Sequence, residues 1–224
     1  MNFRYVCSGF GPSKCLERPI VFVVDSDPAV RAALDLLIRS AGLEPRLAAS
    51  AEEFLAGPRV PTPSCLLVEL RLPGASGLEL QRLVAGRTEM PVIFMSREPD
   101  VPATVRAMKA GALEFLTKPL TDEVLLNAIG NALERSHATL RQSARIQALN
   151  ERYESLSRRE REVMSLVVSG RLNKQVGGEL GISEITVKAH RGKMMRKMQA
   201  ASFAELVNMA ASLQPVSHAH GARP

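Results

Sequence analysis

A regular alternation of short apolar runs with helical segments constrains the fold of this chain more than any other feature. Between residues 19 and 129, five runs of four to six mostly apolar residues predict strands: 20–24, 45–49, 65–69, 91–96 and 113–116. Segments with helical periodicity fill the intervals, and their predicted N-caps are Asp27, Ser50, Ser76, Asp100 and Thr121. This alternation predicts a five-stranded, doubly wound parallel sheet of flavodoxin-like type.

Polar side chains mark the ends of the predicted strands. Right-handed crossovers place all carboxyl ends of a parallel sheet at one edge, where open α/β sheets hold their sites. Taken alone, Glu69 is equally compatible with a functional acid and with an acid at a strand end that faces water. Convergence of several polar residues on one edge indicates a site instead; these residues are Asp25, Ser26, Glu69, Ser96 and Lys118.

The pattern of apolar and polar residues changes in the C-terminal part of the chain, where helical periodicity predicts a small unit of four helices. Two short helices around Leu180-Gly181-Ile182-Ser183 match a helix-turn-helix. Residues 157–214 carry 10 basic and 5 acidic residues, a net of +5, whereas residues 19–129 carry 11 and 14, a net of −3. An acidic half joined to a basic half indicates a regulatory unit on a nucleic-acid binder.

The predicted organisation has five parts. They are a flexible extension (1–18), the α/β domain (19–130), a helical linker of one long helix or two (131–155), the helix-turn-helix domain (156–213) and a disordered tail (214–224). The sequence has no apolar run of membrane-spanning length, and its first 18 residues lack a signal-peptide core. With reduced thiols expected at Cys7, Cys15 and Cys65, we expect a cytoplasmic protein without membrane contact.

Both halves carry motifs of a known family. Val23-Val24-Asp25, the strand ending at Glu69, Ser96 and Phe115-Leu-Thr-Lys118-Pro119 together resemble a response-regulator receiver domain. The segments 156–163, 173–174 and Thr186-Val-Lys-Ala-His-Arg191 resemble the LuxR-type helix-turn-helix. The chain therefore resembles a NarL/FixJ-type transcriptional regulator over roughly residues 19–213.

The resemblance implies a role for each residue of the predicted receiver site. In the family, an aspartate at the position of Glu69 takes a phosphoryl group from a histidine kinase with the help of Mg²⁺. Asp25 matches the first of two metal-binding acids, Ser96 the hydroxyl and Lys118 the lysine that contact the phosphoryl group, and Phe115 the aromatic switch.

Three positions depart from the family pattern: Glu69 replaces the aspartate, Ser26 replaces the second acid, and Arg97 replaces a small residue. The longer side chain of Glu69 misplaces its carboxylate for in-line attack, and about 1 Å of misplacement can cost ~10²-fold in rate. Loss of the acid at position 26 removes an oxygen ligand, so we expect Mg²⁺ binding to be weak or lost and predict no cofactor. Arg97 either fills the site entrance with a fixed positive charge or points to solvent.

These departures predict a degenerate receiver that is not controlled by aspartyl phosphorylation. Glu69 is expected to pair with Lys118 and Ser96, and this pairing either imitates the phosphorylated state or locks an inactive one. Two alternatives remain open. One is a conventional regulator activated by a phosphorelay, and the other is an interaction module that sequesters a kinase or partner regulator. The leading function involves no enzymatic turnover, whereas the phosphorelay alternative is chemically a self-phosphorylating activity.

The helix-turn-helix predicts contacts to double-stranded DNA. Lys188 is the first candidate base reader and Arg191 the second, because their side chains suit guanine O6 and N7. Ala189 is placed to meet a thymine methyl, and Thr186 and Lys174 to contact phosphates. A small residue is expected where the two helices of the motif approach closely, which explains Gly177. The sequence offers no explanation for Gly178. The resemblance alone implies a homodimer through the fourth helix and fifth strand of the receiver.

Overall fold

The computed structural model describes residues 18–98 and 100–213. These residues form two compact units that divide between Arg141 and Gln142. The predicted N-terminal extension, apart from Arg18, and the predicted C-terminal tail lie outside the described residues, and so do Cys7 and Cys15. Within the described part of the chain, no helix combines the length and the apolar character that a membrane crossing needs.

The first unit contains the predicted parallel sheet. Its strands are β1 (Ile20–Val24), β2 (Glu44–Ala48), β3 (Ser64–Glu69), β4 (Val92–Ser96) and β5 (Glu114–Thr117). They pair in parallel in the order β2-β1-β3-β4-β5. Every residue of β3 is buried, as expected for a central strand that is covered on both faces. The prediction of a five-stranded doubly wound sheet is confirmed.

Four helices lie within this unit: α1 (Pro28–Ser40), α2 (Ala51–Ala56), α3 (Gly77–Leu83) and α4 (Val101–Lys109). A fifth, α5 (Asp122–Glu154), begins in this unit and ends in the second. The side chains of Asp27, Ser50 and Ser76 cap α1, α2 and α3 as predicted, while Asp100 stands at the N-cap of α4 without a capping bond. One core cluster joins the sheet to α2, α3 and α4, and the other joins it to α1 and α5. Cys65 lies in the second cluster, where burial raises the pKa of its thiol to about 12.

The helix α5 is one continuous helix of 33 residues, which settles the choice between one helix and two. Its first half packs on the sheet through Leu125, Ile129 and Leu133. Ser136 is fully buried, where its hydroxyl accepts the Ser64 N–H at 2.9 Å and donates to the Glu89 carbonyl. Packing of the first unit therefore continues past residue 130, where the sequence placed the end of the domain.

The second unit contains α6 (Arg158–Val168), α7 (Asn173–Leu180), α8 (Glu184–Met198) and α9 (Phe203–Ser212). Its core includes Val187, Met194 and Met198 of α8, which recur at helical spacing, and Leu149 from the end of α5. Gly181, at φ 65°, ends α7 in the left-handed conformation that favours glycine. Ser183 then caps α8 by accepting the Thr186 N–H at 3.1 Å.

Two adjacent glycines of α7 differ sharply in their surroundings, and this difference makes a matched prediction. A Cβ at Gly177 would lie 2.7 Å from the Ile182 carbonyl oxygen, whereas a Cβ at Gly178 would meet nothing within 4 Å. We expect Gly177→Ala to destabilise the second unit by about 1–3 kcal/mol through overpacking. Gly178→Ala should stabilise it by about 1 kcal/mol through helix propensity. Scanning calorimetry of the full-length variants measures both shifts, and shifts of the same sign would contradict this account of the turn.

Candidate functional site

The predicted receiver site is centred on an ammonium group that bridges two acids. Lys118 Nζ lies 2.6 Å from Asp25 Oδ2 and 2.5 Å from Glu69 Oε2. The side chain of Lys118 is 12% exposed, and those of Asp25 and Glu69 are 2% and 12% exposed. Three residues that are far apart in sequence thus meet at the carboxyl edge of β1, β3 and β5, as the parallel topology predicted.

Neighbouring groups bind the other oxygens of both carboxylates. Asp25 Oδ1 accepts the Asp27 N–H at 2.9 Å, and Glu69 Oε1 accepts the Leu70 N–H at 3.0 Å. Arg31 adds a bond of 2.6 Å to the backbone carbonyl of Asp25. Each carboxylate oxygen therefore has a donor from the protein itself, and Lys118 supplies the compensating charge.

The side-chain oxygens of this site fit a Mg²⁺ ion poorly. Mg²⁺ demands a near-octahedral set of hard oxygen ligands, usually one or two carboxylates with water. The oxygens of Asp25 and Glu69 that face each other already bind the Lys118 ammonium, and Ser26 contributes an exposed hydroxyl where the family pattern has an acid. Among residues 18–98 and 100–213, no group of three or more His, Cys, Asp or Glu side chains is placed to hold a metal.

The expected pairing of Glu69 with Ser96 is wrong. Ser96 is buried, and its hydroxyl donates to the Glu98 carbonyl oxygen at 3.0 Å. This acceptor lies two residues away in the same loop, whereas both oxygens of Glu69 already have donors. The hydroxyl therefore shapes the loop between β4 and α4 and does not bind the acid.

Arg97 lies at the rim of the site and binds neither of the two central acids. Its guanidinium contacts Asp27 Oδ2 at 2.6 Å, and its side chain is 65% exposed. This hydrogen bond, together with the Ala29 N–H, holds the pKa of the Asp27 carboxyl below its ordinary value. The expected fixed charge is thus present at the entrance, but it is neutralised by an acid that the sequence marked only as a helix cap.

A second ion pair joins the same loop to the other side of the site. Glu98 contacts Arg71 at 2.8 Å, so Arg97 and Glu98 connect the β4–α4 loop to the loops after β1 and β3, respectively. Exposed ion pairs contribute about 0–1 kcal/mol each. These contacts therefore bias the position of the loop without locking it.

Phe115 and Gly77 flank the site. The ring of Phe115 is half-buried and stacks on the buried ring of Phe94, with centroids 6.1 Å apart. A Cβ at Gly77 would lie 2.5 Å from the Glu69 carbonyl oxygen and 3.1 Å from the Phe94 ring. Sequence reasoning missed the role of Gly77, because a close approach between α3 and the end of β3 leaves no local pattern.

The second candidate site is the exposed face of α8. Lys188 is exposed and contacts only Glu184, one turn earlier, at 3.3 Å, while Ala189 is exposed beside it. The hydroxyl of Thr186 lies 2.8 Å from that of Ser183, and Lys174 is exposed on α7. The structure thus places Lys188, the first candidate base reader, on a solvent-exposed face of α8.

Arg191 has partners inside the unit, and its role as a base reader stays a prediction. Its guanidinium donates to Asn173 Oδ1 at 2.6 Å and lies 5.4 Å from the centre of the Phe203 ring. These contacts tie α8 to the first residues of α7 and α9. The guanidinium would have to leave the Asn173 side chain before it could read a base.

Comparison with protein families assigns both units. Residues 21–130 match the response regulator receiver domain, and residues 154–210 match the bacterial regulatory proteins of the luxR family. The matched segments cover both candidate sites.

Relatives of known name match nearly the whole chain. Nodulation protein W of Bradyrhizobium diazoefficiens is 44% identical over 204 residues, covering 91% of this chain and 90% of the relative. The transcriptional regulatory protein FixJ of Azorhizobium caulinodans is 42% identical over 191 residues, covering 85% and 90%. The solved structure of the response regulator StyR, 42% identical, superposes with a TM-score of 0.79 over 87% of this chain and 99% of that one.

Proposed function

The chain belongs to the two-component response regulators with a receiver domain and a LuxR-type DNA-binding domain, and from this membership we propose that it regulates transcription by reading specific DNA sequences. The net charge of +5 on residues 157–214 and the open face of α8 support this function. In this proposal the protein acts by binding alone, in the bacterial cytoplasm, without turnover of a substrate.

The proposal extends to the receiver: phosphorylation at position 69 does not control this regulator. The supporting observation is the ammonium of Lys118, which is shared between the carboxylates of Glu69 and Asp25. An acceptor acid needs an oxygen aligned with the incoming phosphoryl group, whereas the Glu69 carboxylate is held in place by Lys118 and by the Leu70 N–H. The extra methylene of Glu69 lets its carboxylate reach Lys118 directly, without a phosphoryl group between them.

We propose in addition that Mg²⁺ binds weakly or not at all. The ion would have to displace Lys118 from two acids, and it would gain only a neutral hydroxyl from Ser26. Isothermal titration of the full-length chain with MgCl₂ measures this directly. Ser26→Asp is the matched variant, because it restores the acid at the second position. A saturable heat in the unaltered protein would contradict the proposal.

DNA binding with and without a phosphodonor tests the regulatory claim. The probe is the duplex that the full-length chain enriches most strongly from a random-sequence library. We expect the same Kd, within about twofold, before and after incubation with acetyl phosphate and Mg²⁺, because Lys118 and the Leu70 N–H hold the Glu69 carboxylate away from in-line attack. The Glu69→Asp, Ser26→Asp double variant is the matched control with the family's acids in place.

Two outcomes favour the alternatives. A tightening of tenfold or more in the unaltered protein, about 1.4 kcal/mol, would support a conventional phosphorelay regulator. Failure of the library to enrich any sequence would support a module that sequesters a kinase or partner regulator through its receiver.

We propose that the receiver also carries the protein contacts of the molecule, with a histidine kinase or partner regulator and with a second copy of the chain. Val101, Val105 and Met108 are exposed at successive turns of α4 and form one apolar stripe. Burial of this stripe in a homodimer would remove it from water. Sedimentation equilibrium of the full chain and of Val105→Glu tests the dimer, and a concentration-independent monomer would refute it.

A further inference from the structure

The exposed face of α8 carries a large apolar side chain at its N-terminal end. Ile185 is 79% exposed, the largest exposed fraction among the exposed large hydrophobic residues of the described chain. It is the second residue of α8, and it takes no part in the core cluster of the second unit. The opposite face of the helix supplies Val187, Met194 and Met198 to that core.

Folding gives no account of an isoleucine at this position. A β-branched residue is a weaker helix former than the straight-chain residues common on helix surfaces. The start of α8 is already stabilised by Ser183, whose hydroxyl accepts the Thr186 N–H. A single exposed apolar residue is ordinary on a protein surface, so its meaning depends on its neighbours.

Those neighbours place Ile185 on the same face as the predicted base reader. Residues 185, 188, 189 and 192 stand at i, i+3, i+4 and i+7, which is one face of a helix. Lys188 is the long polar side chain of this face, while Ala189 is short and Gly192 has open space around it. The two short residues let the helix backbone approach a surface closely, with Ile185 and Lys188 projecting toward it.

We propose that Ile185 is a specificity-determining residue, which packs against the C5-methyl group of a thymine in the major groove. This inference rests on the proposed function as a reader of DNA. The thymine methyl is the apolar group that the major-groove edges of the bases present, and isoleucine has no hydrogen-bonding group for the others. Burial of its exposed surface against that methyl removes apolar area from water.

The spacing of the two side chains predicts where this thymine lies. Three helical residues span about 4.5 Å along the helix axis. Successive base pairs are about 3.4 Å apart. Ile185 therefore contacts a T·A pair within about two base pairs of the guanine that Lys188 reads. The ligand class is a duplex that contains both features in adjacent positions.

Deoxyuridine substitution tests the contact, because it removes only the C5-methyl group. The probe is the duplex that the full-length wild-type chain enriches most strongly from a random-sequence library. Each thymine is replaced singly, and Kd is measured for the wild type and for Ile185→Ala. We expect at least one thymine at which deoxyuridine weakens wild-type binding by about 3- to 10-fold and at which this effect depends on Ile185. The same replacement should leave the Kd of Ile185→Ala unchanged, because this variant already lacks the side chain that contacts the methyl group.

Two further variants serve as controls. Ile185→Val keeps a branched side chain and should retain most of the sensitivity to the methyl. Leu172→Ala removes an apolar side chain that is 70% exposed at the start of α7, and it should keep the full wild-type profile. Circular dichroism of each full-length variant confirms that the helices are intact.

The outcomes separate this inference from the proposed function. If the library enriches no sequence, the proposed function fails and this inference fails with it. If a sequence is enriched but Ile185→Ala keeps every wild-type methyl sensitivity, only the role of Ile185 is overturned. A variant that binds the duplex like the wild type but no longer activates a reporter would assign the side chain to a protein partner and would also overturn it.

Discussion

Replacement of Lys118 by methionine is expected to destabilise the first unit by about 3–5 kcal/mol. The substitution keeps the length of an unbranched side chain but removes the ammonium that lies between Asp25 and Glu69. Two carboxylates that are largely shielded from water would then face each other without compensating charge. Removal of one partner from a buried ion pair is costly because the remaining charge stays desolvated.

The loss is large against a total stability of about 5–15 kcal/mol for a typical domain. Urea denaturation of the full-length chain, monitored by circular dichroism, measures this loss of stability, and scanning calorimetry measures it independently. Lys109→Met is the matched control, since Lys109 is exposed at the end of α4, and it should change stability by less than about 0.5 kcal/mol. In the double variant Glu69→Leu, Lys118→Met, removal of one acid should recover part of the loss. Equal stability of Lys118→Met and Lys109→Met would show that the bridging contact contributes little.

Lys188→Ala is expected to weaken binding to the enriched duplex by about 10- to 100-fold and to relax sequence preference at one base pair. Lys188 is free of all but a weak contact with Glu184, so its ammonium is available for a guanine edge. Lys174→Ala should instead weaken binding uniformly across sequences and lower the salt slope by about one unit.

The Arg191→Ala variant tests whether Arg191 positions α8 or reads a base. Because Arg191 donates a hydrogen bond to Asn173 and lies over the ring of Phe203, its loss should reduce the stability of the second unit and weaken binding to all sequences alike. Gel-shift titrations over a series of salt concentrations measure these effects on the same duplex and on its single-base variants. An unchanged sequence preference in Lys188→Ala would refute the assignment of Lys188, and a preference lost only in Arg191→Ala would restore Arg191 as the base reader.

Local sequence patterns were sufficient to predict the fold. The strands of the first unit follow from short apolar runs, and the starts of α2, α3 and α6 follow from the Ser-x-x-Glu patterns at Ser50, Ser76 and Ser157. Convergence of Asp25, Glu69 and Lys118 followed from topology, because a parallel sheet brings its strand ends to one edge.

The partners of individual side chains were not predictable, since they depend on contacts that sequence spacing does not encode. Arg191 meets Asn173 and Phe203 only because α7, α8 and α9 pack around one core. Ser96 turns to the nearby carbonyl of Glu98, although topology alone placed it beside Glu69. Burial of Ser136, which lies past the predicted domain end at residue 130, was not predictable either, because it depends on Ser64 and Glu89.

The mass of the intact protein after incubation with acetyl phosphate and Mg²⁺ is the most direct test of the central claim, that position 69 does not accept a phosphoryl group. A related response regulator with the usual aspartate, incubated in parallel, shows that the phosphodonor is active. We predict that the unaltered protein gains no labile phosphoryl adduct, because Lys118 and the Leu70 N–H hold both oxygens of Glu69. A hydroxylamine-sensitive adduct mapped to Glu69 would contradict the account.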